Sequence, residues 1–370
     1  MRFIVYLTIY LKIQIVFFKK IYRIYKKIHP PVWPKNYDYI LNKHRLLWNK
    51  LSKFTSFLWI KTYIAISGKY DYRYVPENIY YAVIEPILNN KMFSKAYADK
   101  NIYSLLLSEF SFLLPKIILR NIDGHYFSEN YEIIDFNKYF IKRYLNNHNK
   151  IIIKKAIDSG GGKSIELFTK KIGEFYNTKK EKLTVSYLKN KYERNYIIQE
   201  YINQHKYYAR FNKSSLNTVR ILTYRSIRND EVHILHALLR IGRKGSHVDN
   251  QSSGGLSIGL SSDGSLNNYA VDKEGNKHYS NILNNNKIIY FREMKEYAVQ
   301  IAHKMLYSRL IGFDFCVDYN GKIKLIELNN QNNEINFYQM NNGPLFREFT
   351  DEIIEYCRNN PQTFCIDYYI

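Results

Sequence analysis

Residues 311–330 read IGFDFCVDYNGKIKLIELNN, two apolar runs joined by Asn320-Gly321. Asn-Gly is the strongest short hairpin signal, because a tight hairpin turn needs positive φ at its central residues. A two-residue turn pairs position 319 with 322 and sets Asp314 directly opposite Glu327. Side chains alternate along a strand, so Asn329 joins them on one face. Phe313, Phe315 and Val317, with Ile326 and Leu328, are expected to seal the other face. Like charges directly opposite on a sheet repel, and a cation between them reverses the sign. Two carboxylates and an amide oxygen are hard ligands, suited to Mg²⁺. Asp314, Glu327 and Asn329 are therefore the predicted metal ligands. The partner such an ion usually serves is a nucleoside triphosphate.

A second stretch, IIIKKAIDSGGGKSIELF at 151–168, looks at first like a Walker A loop. That motif needs a glycine five positions before the last one, and Ile157 stands there. What remains is a strand, Lys154 near its end, and Gly160, Gly161 and Gly162, whose bare backbone N–H groups suit phosphate oxygens. In YIIQEYINQH, Gln199 and Glu200 lie on a strand whose backbone suits an adenine edge. In LNTVRILTYR, Arg220 opens a strand where a guanidinium meets an oxyanion. Each of these signals is weak alone.

Around them the chain reads as mixed α and β. Helical spacing spans Asp99–Phe110 and links Met294, Ala298, Ile301 and Met305. Strands are expected at Ile151–Lys154, Tyr196–Ile202 and Leu256–Leu260. Val219–Arg228 and Val232–Ile241 are expected to form a hairpin around Asn229-Asp230-Glu231. Hydrophobic residues make up 46% of the 370, enough for a sizeable core. Cys316, Cys357 and Cys365 have no metal-ligand spacing and form no disulfide framework, which fits a reducing, cytoplasmic setting.

The charge is uneven. Of the net +22, residues 1–70 carry fourteen Lys and Arg against one acid, Asp38. The first 28 residues read as a helix with Arg2, Lys12, Lys19, Lys20, Arg23, Lys26 and Lys27 on one arc and apolar residues elsewhere. Its apolar run is short for a membrane span and broken by Lys12. No small-residue cleavage site follows, which disfavours a signal peptide. An interfacial helix on an anionic membrane surface fits, peripheral to the inner face of the cell membrane. The alternative is a helix packed on the protein's own surface. Pro30, Pro31 and Pro34 are expected to end it. Its removal is expected to free the protein from membrane and leave ATP binding intact.

Taken in order, these motifs resemble the ATP-grasp superfamily, and within it the sugar-transfer-associated ATP-grasp family. YIIQEYINQH, SSLNTVRILT, LLRIGRKGSHVDNQSSGG, IGFDFCVD and LIELNNQNN carry the resemblance, from about Tyr74 to Phe346. It implies an α+β fold of two lobes gripping ATP, with a basic helical extension at residues 1–70. It further implies the first part of the catalytic region at 71–145, a small lobe with a glycine lid at 146–205, and a large lobe with the magnesium site at 206–370. It gives Lys100 and Lys154 to the ATP phosphates, Gly160 to Gly162 to the lid, and Gln199, Glu200, Tyr201 and Ile202 to the adenine hinge. Arg220 falls near the transferred phosphoryl group. Asp249, Asn250, Gly254 and Gly255 fall in a closing loop, and Asp314, Glu327 and Asn329 at Mg²⁺. Where the family has proline after the strand lysine this chain has Lys155, which leaves Lys154 and Lys155 both open as the phosphate lysine. Where a tryptophan commonly precedes the metal aspartate, this chain has Phe313.

The implied activity is ATP-dependent ligation of a carboxylate to an amine through an acyl phosphate. The implied substrates are a uronic acid of a surface polysaccharide and an amino acid or similar amine. One rival is a phosphotransferase on the same fold. Another is a basic RNA- or glycan-binding protein without catalysis, suggested by the charge and the 36 tyrosines. That reading leaves the Asp314/Glu327 pairing unexplained, which disfavours nucleic acid as partner.

Overall fold

A computed structural model describes residues 2–28, 37–53, 55–137, 139–157, 164–243, 245 and 254–361. The glycine run Gly160–Gly162 with Lys163, the loop residues Asp249 and Asn250, and Pro30, Pro31 and Pro34 lie outside the described residues.

Two antiparallel sheets organise the chain, with helices against them, as the α+β expectation requires. The first uses β1 (Ile117–Ile122), β2 (His125–Phe127), β3 (Lys150–Lys155), β4 (Glu166–Lys171), β5 (Glu174–Asn177) and β6 (Tyr196–Glu200), in the order β2-β1-β6-β3-β4-β5. Ile151, Ile153, Phe168, Phe175 and Ile198 pack on one of its faces with Leu188 and Tyr192. Alternation along β3 then sends Lys154 to the opposite face.

The second sheet uses β7 (Thr218–Arg225), β8 (Val232–Ile241), β9 (Leu256–Leu260), β10 (Leu266–Val271), β11 (Lys277–Tyr279), β12 (Leu310–Val317) and β13 (Ile323–Asn329), in the order β11-β10-β9-β8-β7-β12-β13. Both faces are covered. Helix Phe291–Lys304 places Met294, Ala298 and Ile301 against Val219, Ile221, Phe313 and Phe315. On the other face lie Leu222, Tyr224 and Leu238, under residues 75–88 and the helices Ile335–Asn342 and Thr350–Asn359. The β7–β8 connection is longer than expected. β7 stops at Arg225, Ser226 N–H bonds Glu231 O at 2.8 Å, and Asp230 closes the loop at φ 60°.

The β12–β13 hairpin places Asp314 opposite Glu327, as expected, but by another route. Its loop has three residues, Tyr319, Asn320 and Gly321, with Asp318 N–H bonding Lys322 O at 2.9 Å. The Asp318 carboxylate accepts from the N–H groups of Asn320 and Lys322, which holds this longer turn, and Gly321 supplies φ 79°. Val317 therefore faces Ile323 and Phe315 faces Leu325. A bulge at Ile326 restores the register before Glu327. The expectation that Ile326 seals the core is corrected by the same bulge: Leu325 and Leu328 are the buried pair, and Ile326 is partly exposed.

The N-terminal region forms α1 (Arg2–Lys27), α2 (Tyr37–Trp48) and α3 (Leu58–Ser67). Ile21 and Ile24 of α1 are fully buried with Trp59, Ile60 and Tyr63 of α3, Val271 of β10 and Met340. Lys20 reaches the buried Glu77 at 2.6 Å, and Phe17 stacks on Tyr81 at 4.4 Å. Removing α1 would uncover this cluster. Among the described residues, no helix is long and apolar enough to cross a membrane.

Candidate functional site

The two sheets meet at residues 201–205. Beyond Glu200, His205 N–H bonds Val317 O at 2.9 Å and Tyr319 N–H bonds Asn203 O at 2.7 Å. This short tie anchors the end of β6 to the end of β12, and brings Lys154 of one sheet toward Asp314 and Glu327 of the other.

Each functional side chain is set by strand register. Arg220 sits opposite Asp314 across β7–β12. Its guanidinium donates through Nε to Asp314 Oδ1 and through Nη2 to Oδ2, both at 2.6 Å. Arg240 on β8 donates to Oδ2 at 3.0 Å and Asn329 to the same oxygen at 3.3 Å. Asp314 is only 3% exposed. Burial alone would raise its pKa, but the two guanidinium charges and the Arg220 hydrogen bonds hold it below the usual carboxylate range.

Glu327 forms an ion pair with Lys100 at 2.8 Å. Burial and the Asp314 charge push its pKa up, and the charge and hydrogen bond of Lys100, helped by Lys154, more than offset them, leaving it lowered. Lys100 starts a short turn that the Asp99 carboxylate caps through Asn101 N–H. Its own N–H bonds Ala156 O at 3.1 Å, which ties it to the end of β3. The expected helix at 99–110 is thus broken into short turns, at Lys100–Ile102, Tyr103–Leu106 and Ser108–Leu113.

Lys154 is 4% exposed and makes no hydrogen bond or ion pair among the described residues. Burial and the neighbouring Lys100 charge press its pKa down to about 7, against a smaller opposing pull from Glu327. Lys155 points elsewhere, and its ammonium bonds the backbone oxygens of Tyr192 and Arg194. Of the two lysines left open by the sequence, Lys154 is the one that lies beside Lys100 and Glu327.

The hinge residues form one run. Gln199 is buried and pairs with Ile152 and Ile117. Glu200 is engaged twice, its N–H donating to Lys116 O at 3.0 Å and its carboxylate accepting from Lys116 N–H. The ring of Tyr201 lies under the Lys150 ammonium at 5.0 Å, and Ile202 is buried. Gly254, at φ 97°, and Gly255 lead into β9 beside Arg243, just past the end of β8 that carries Arg240.

Sequence reasoning missed four contributors. Arg240 joins Asp314, Glu334 lies 3.9 Å from Arg220, Tyr103 accepts from Leu328 N–H at 3.0 Å, and Asn333 crowds Gly312 so closely that an added Cβ would fall 2.8 Å from its amide oxygen. Arg240 was findable. The β7–β8 hairpin pairs Thr218 with Arg240 and Arg220 with Leu238, so both arginines share a face. The other three depend on contacts between elements far apart in sequence.

The donor set suits magnesium in kind: two opposed carboxylates with an amide beside them. Among the described residues no third His, Cys, Asp or Glu completes a metal group, so the set is two carboxylates and Asn329. The chain already answers the repulsion expected between Asp314 and Glu327. Lys100, Lys154, Arg220 and Arg240 surround them and outnumber the acids even with Glu334 included. A bare dication would add to that surplus. A dication carried with a polyanion would offset it.

The model of the sugar-transfer associated ATP-grasp family matches residues 82–354. No curated protein matches the chain in sequence. Among solved structures, the chain is similar to N5-carboxyaminoimidazole synthetase from Staphylococcus aureus complexed with ADP, at 11% identity over 69% of this chain and 52% of that one, with TM-score 0.40. It is also similar to the ATP-grasp ligase PsnB complexed with a phosphomimetic variant of minimal precursor, Mg and ADP, at 15% identity over 73% and 61%, with TM-score 0.39. The chain spans about half the length of the first of these.

Proposed function

The chain belongs to the sugar-transfer associated ATP-grasp family, and from that premise we propose that it is an ATP-dependent carboxylate–amine ligase. One observation carries the reading: four cations from separate elements converge on the opposed pair Asp314 and Glu327, at the meeting of two sheets. That is the electrostatic form of a polyphosphate site. The carboxylate substrate attacks the γ-phosphorus of ATP and ADP leaves. The amine nitrogen then attacks the acyl carbon and phosphate leaves.

Lys154 and Lys100 hold the phosphates. Lys154 is positioned by a buried strand and has no partner among the described residues, so its ammonium is available to the ligand. Arg220 and Arg240 face the place where negative charge grows, and a preorganised guanidinium costs no rearrangement at that moment. The backbone of Glu200 to Ile202 takes the adenine edge, and the family resemblance gives Gly160–Gly162 the role of lid and Asn250, Gly254 and Gly255 that of a closing loop. Magnesium held by Asp314, Glu327 and Asn329 would neutralise charge on the β- and γ-phosphates.

The family's association with sugar transfer supports a uronic acid of a surface polysaccharide, such as capsule or O-antigen, as the carboxylate. An amino acid suits the amine. The basic N-terminal region suits work on lipid-linked anionic intermediates at the inner face of the cell membrane. The test is ADP release by the purified protein with ATP, Mg²⁺, a uronic acid glycan and a panel of amino acids. Release that requires both substrates, with an amide in the product, supports the ligase. Release with a phosphorylated sugar and no need for amine overturns it in favour of a phosphotransferase.

A further inference from the structure

Helix α1 has two apolar faces, and among the described residues only one is covered. The inner face places Phe17, Ile21 and Ile24 in a core cluster. The outer face carries Leu7, Leu11, Ile15, Phe18 and Tyr22, spaced four, four, three and four residues apart, the stripe of a single helical face. These five side chains are between 43% and 53% exposed.

The cations of α1 divide in the same way. Lys20 is spent on the buried Glu77, and Arg23 and Lys27 on Glu274. Lys12, Lys19 and Lys26 recur every seven residues along the edge of the exposed stripe. All three are exposed and have no ion pair among the described residues. Lys26 lies over the Tyr22 ring at 4.7 Å, beside the stripe itself. No acid occurs in the first 28 residues.

We propose that this outer face of α1 seats on an anionic lipid bilayer, with the helix lying in the membrane plane and its inner face kept on the protein. Apolar side chains enter the acyl boundary and the three free lysines meet the headgroups. Charge selects this occupant over a second copy of the chain. Joining two copies through the stripe would bring the unpaired lysines of both together with no acid between them. The inference deepens the membrane placement proposed above and does not depend on the ligase chemistry.

A route runs from the inner face of α1 to the site. Phe17 stacks on Tyr81, and the Tyr81 hydroxyl donates to Asn333 O at 2.6 Å. The buried Glu85 accepts from the N–H groups of Asn332 and Asn333. Residues 81–85 thus hold the segment just after Asn329, and α1 rests on them.

The experiment uses the full chain with sucrose-loaded vesicles of phosphatidylcholine alone and of phosphatidylcholine mixed with phosphatidylglycerol. The wild type should sediment with the mixed vesicles only, less so in high salt. The variant Leu11→Gln/Ile15→Gln/Phe18→Gln changes only exposed positions and should keep the wild-type melting temperature while its lipid binding falls roughly tenfold or more. Lys12→Gln/Lys19→Gln/Lys26→Gln should lose the preference for anionic lipid. A wild type that stays in solution with anionic vesicles overturns the proposal. So does a wild type that dimerises through this stripe, with the Gln variant monomeric and lipid binding absent. ATP turnover in solution is measured beside these, so loss of lipid binding and loss of catalysis are told apart.

Discussion

Lys154→Met should make the protein more stable and destroy its turnover. The ammonium is 4% exposed, has no partner among the described residues and lies near the Lys100 charge. Its pKa falls from 10.5 to about 7 because burial and Lys100 penalise the charged form. A depression of that size corresponds to about 4–5 kcal/mol of differential stability. Relaxation and water entry reduce such penalties, so about 2–4 kcal/mol is expected from removing the charge while methionine keeps the volume. The sign follows from linkage. The folded pKa is below the unfolded one, so the penalty is full below pH 7 and fades as pH rises to 10.5. The gain of the variant should shrink over that window. Denaturant melts of the ligand-free protein at several pH values read the stability, and coupled ADP release reads turnover, expected to fall about 10²–10³-fold. The control is Lys155→Ala, which loses only two backbone carbonyl contacts and should keep turnover within about twofold. A Lys154→Met protein that is less stable than wild type, or that turns over ATP normally, refutes the reasoning.

Glu327→Gln removes the partner of a buried lysine at 2.8 Å. Its side chain is 30% exposed, so the loss is discounted to about 1–3 kcal/mol of ligand-free stability, with ATP turnover abolished; unchanged stability would show that Lys100 finds another counter-charge. Magnesium alone should leave the melting temperature unchanged, whereas magnesium with ATP at about 100-fold over Kd should add ~2.7 kcal/mol. A clear shift with the ion alone would contradict the surplus of positive charge read from the pocket. Buried His44, held down to about 4 by burial despite its bond to Tyr72 O at 2.9 Å, favours its neutral form. His44 should therefore contribute a loss of about 3 kcal/mol as pH falls from 6.5 to 4, with buried His236, held down to about 3 by burial, adding to it, and a stability flat across that range in denaturant melts would rule this out.

Much of the site was legible because it is written in strands. Alternation puts Asp314, Glu327 and Asn329 on one face and Lys154 opposite Ile151 and Ile153, and both rules need only local sequence. Local sequence is also where the hairpin went astray. Asn320-Gly321 signals a turn, but Asp318 lengthens it, and no pattern in KIKLIEL announces the bulge at Ile326. The correct pairing came from two departures that cancel. Tyr103, Asn333 and Glu334 were invisible for a different reason. They reach the site through the docking of residues 75–113 and of the segment after Asn329, and neither leaves a periodic trace. The N-terminal helix shows the limit from the other side. Its two apolar faces read as one, because a wheel records which residues share a side and not which side finds a partner.

The bulge at Ile326 works as an expansion joint. Between the turn and the acidic pair the hairpin runs one residue out of step, and at that point the step is taken back. Tyr319 is exposed, and its backbone N–H is pinned to Asn203 at the crossing between sheets. The tip of the hairpin is thus tailored to the crossing while its stem is tailored to Asp314 and Glu327. A change in the length or chemistry of the tip would therefore alter the tie between the two sheets without moving either carboxylate.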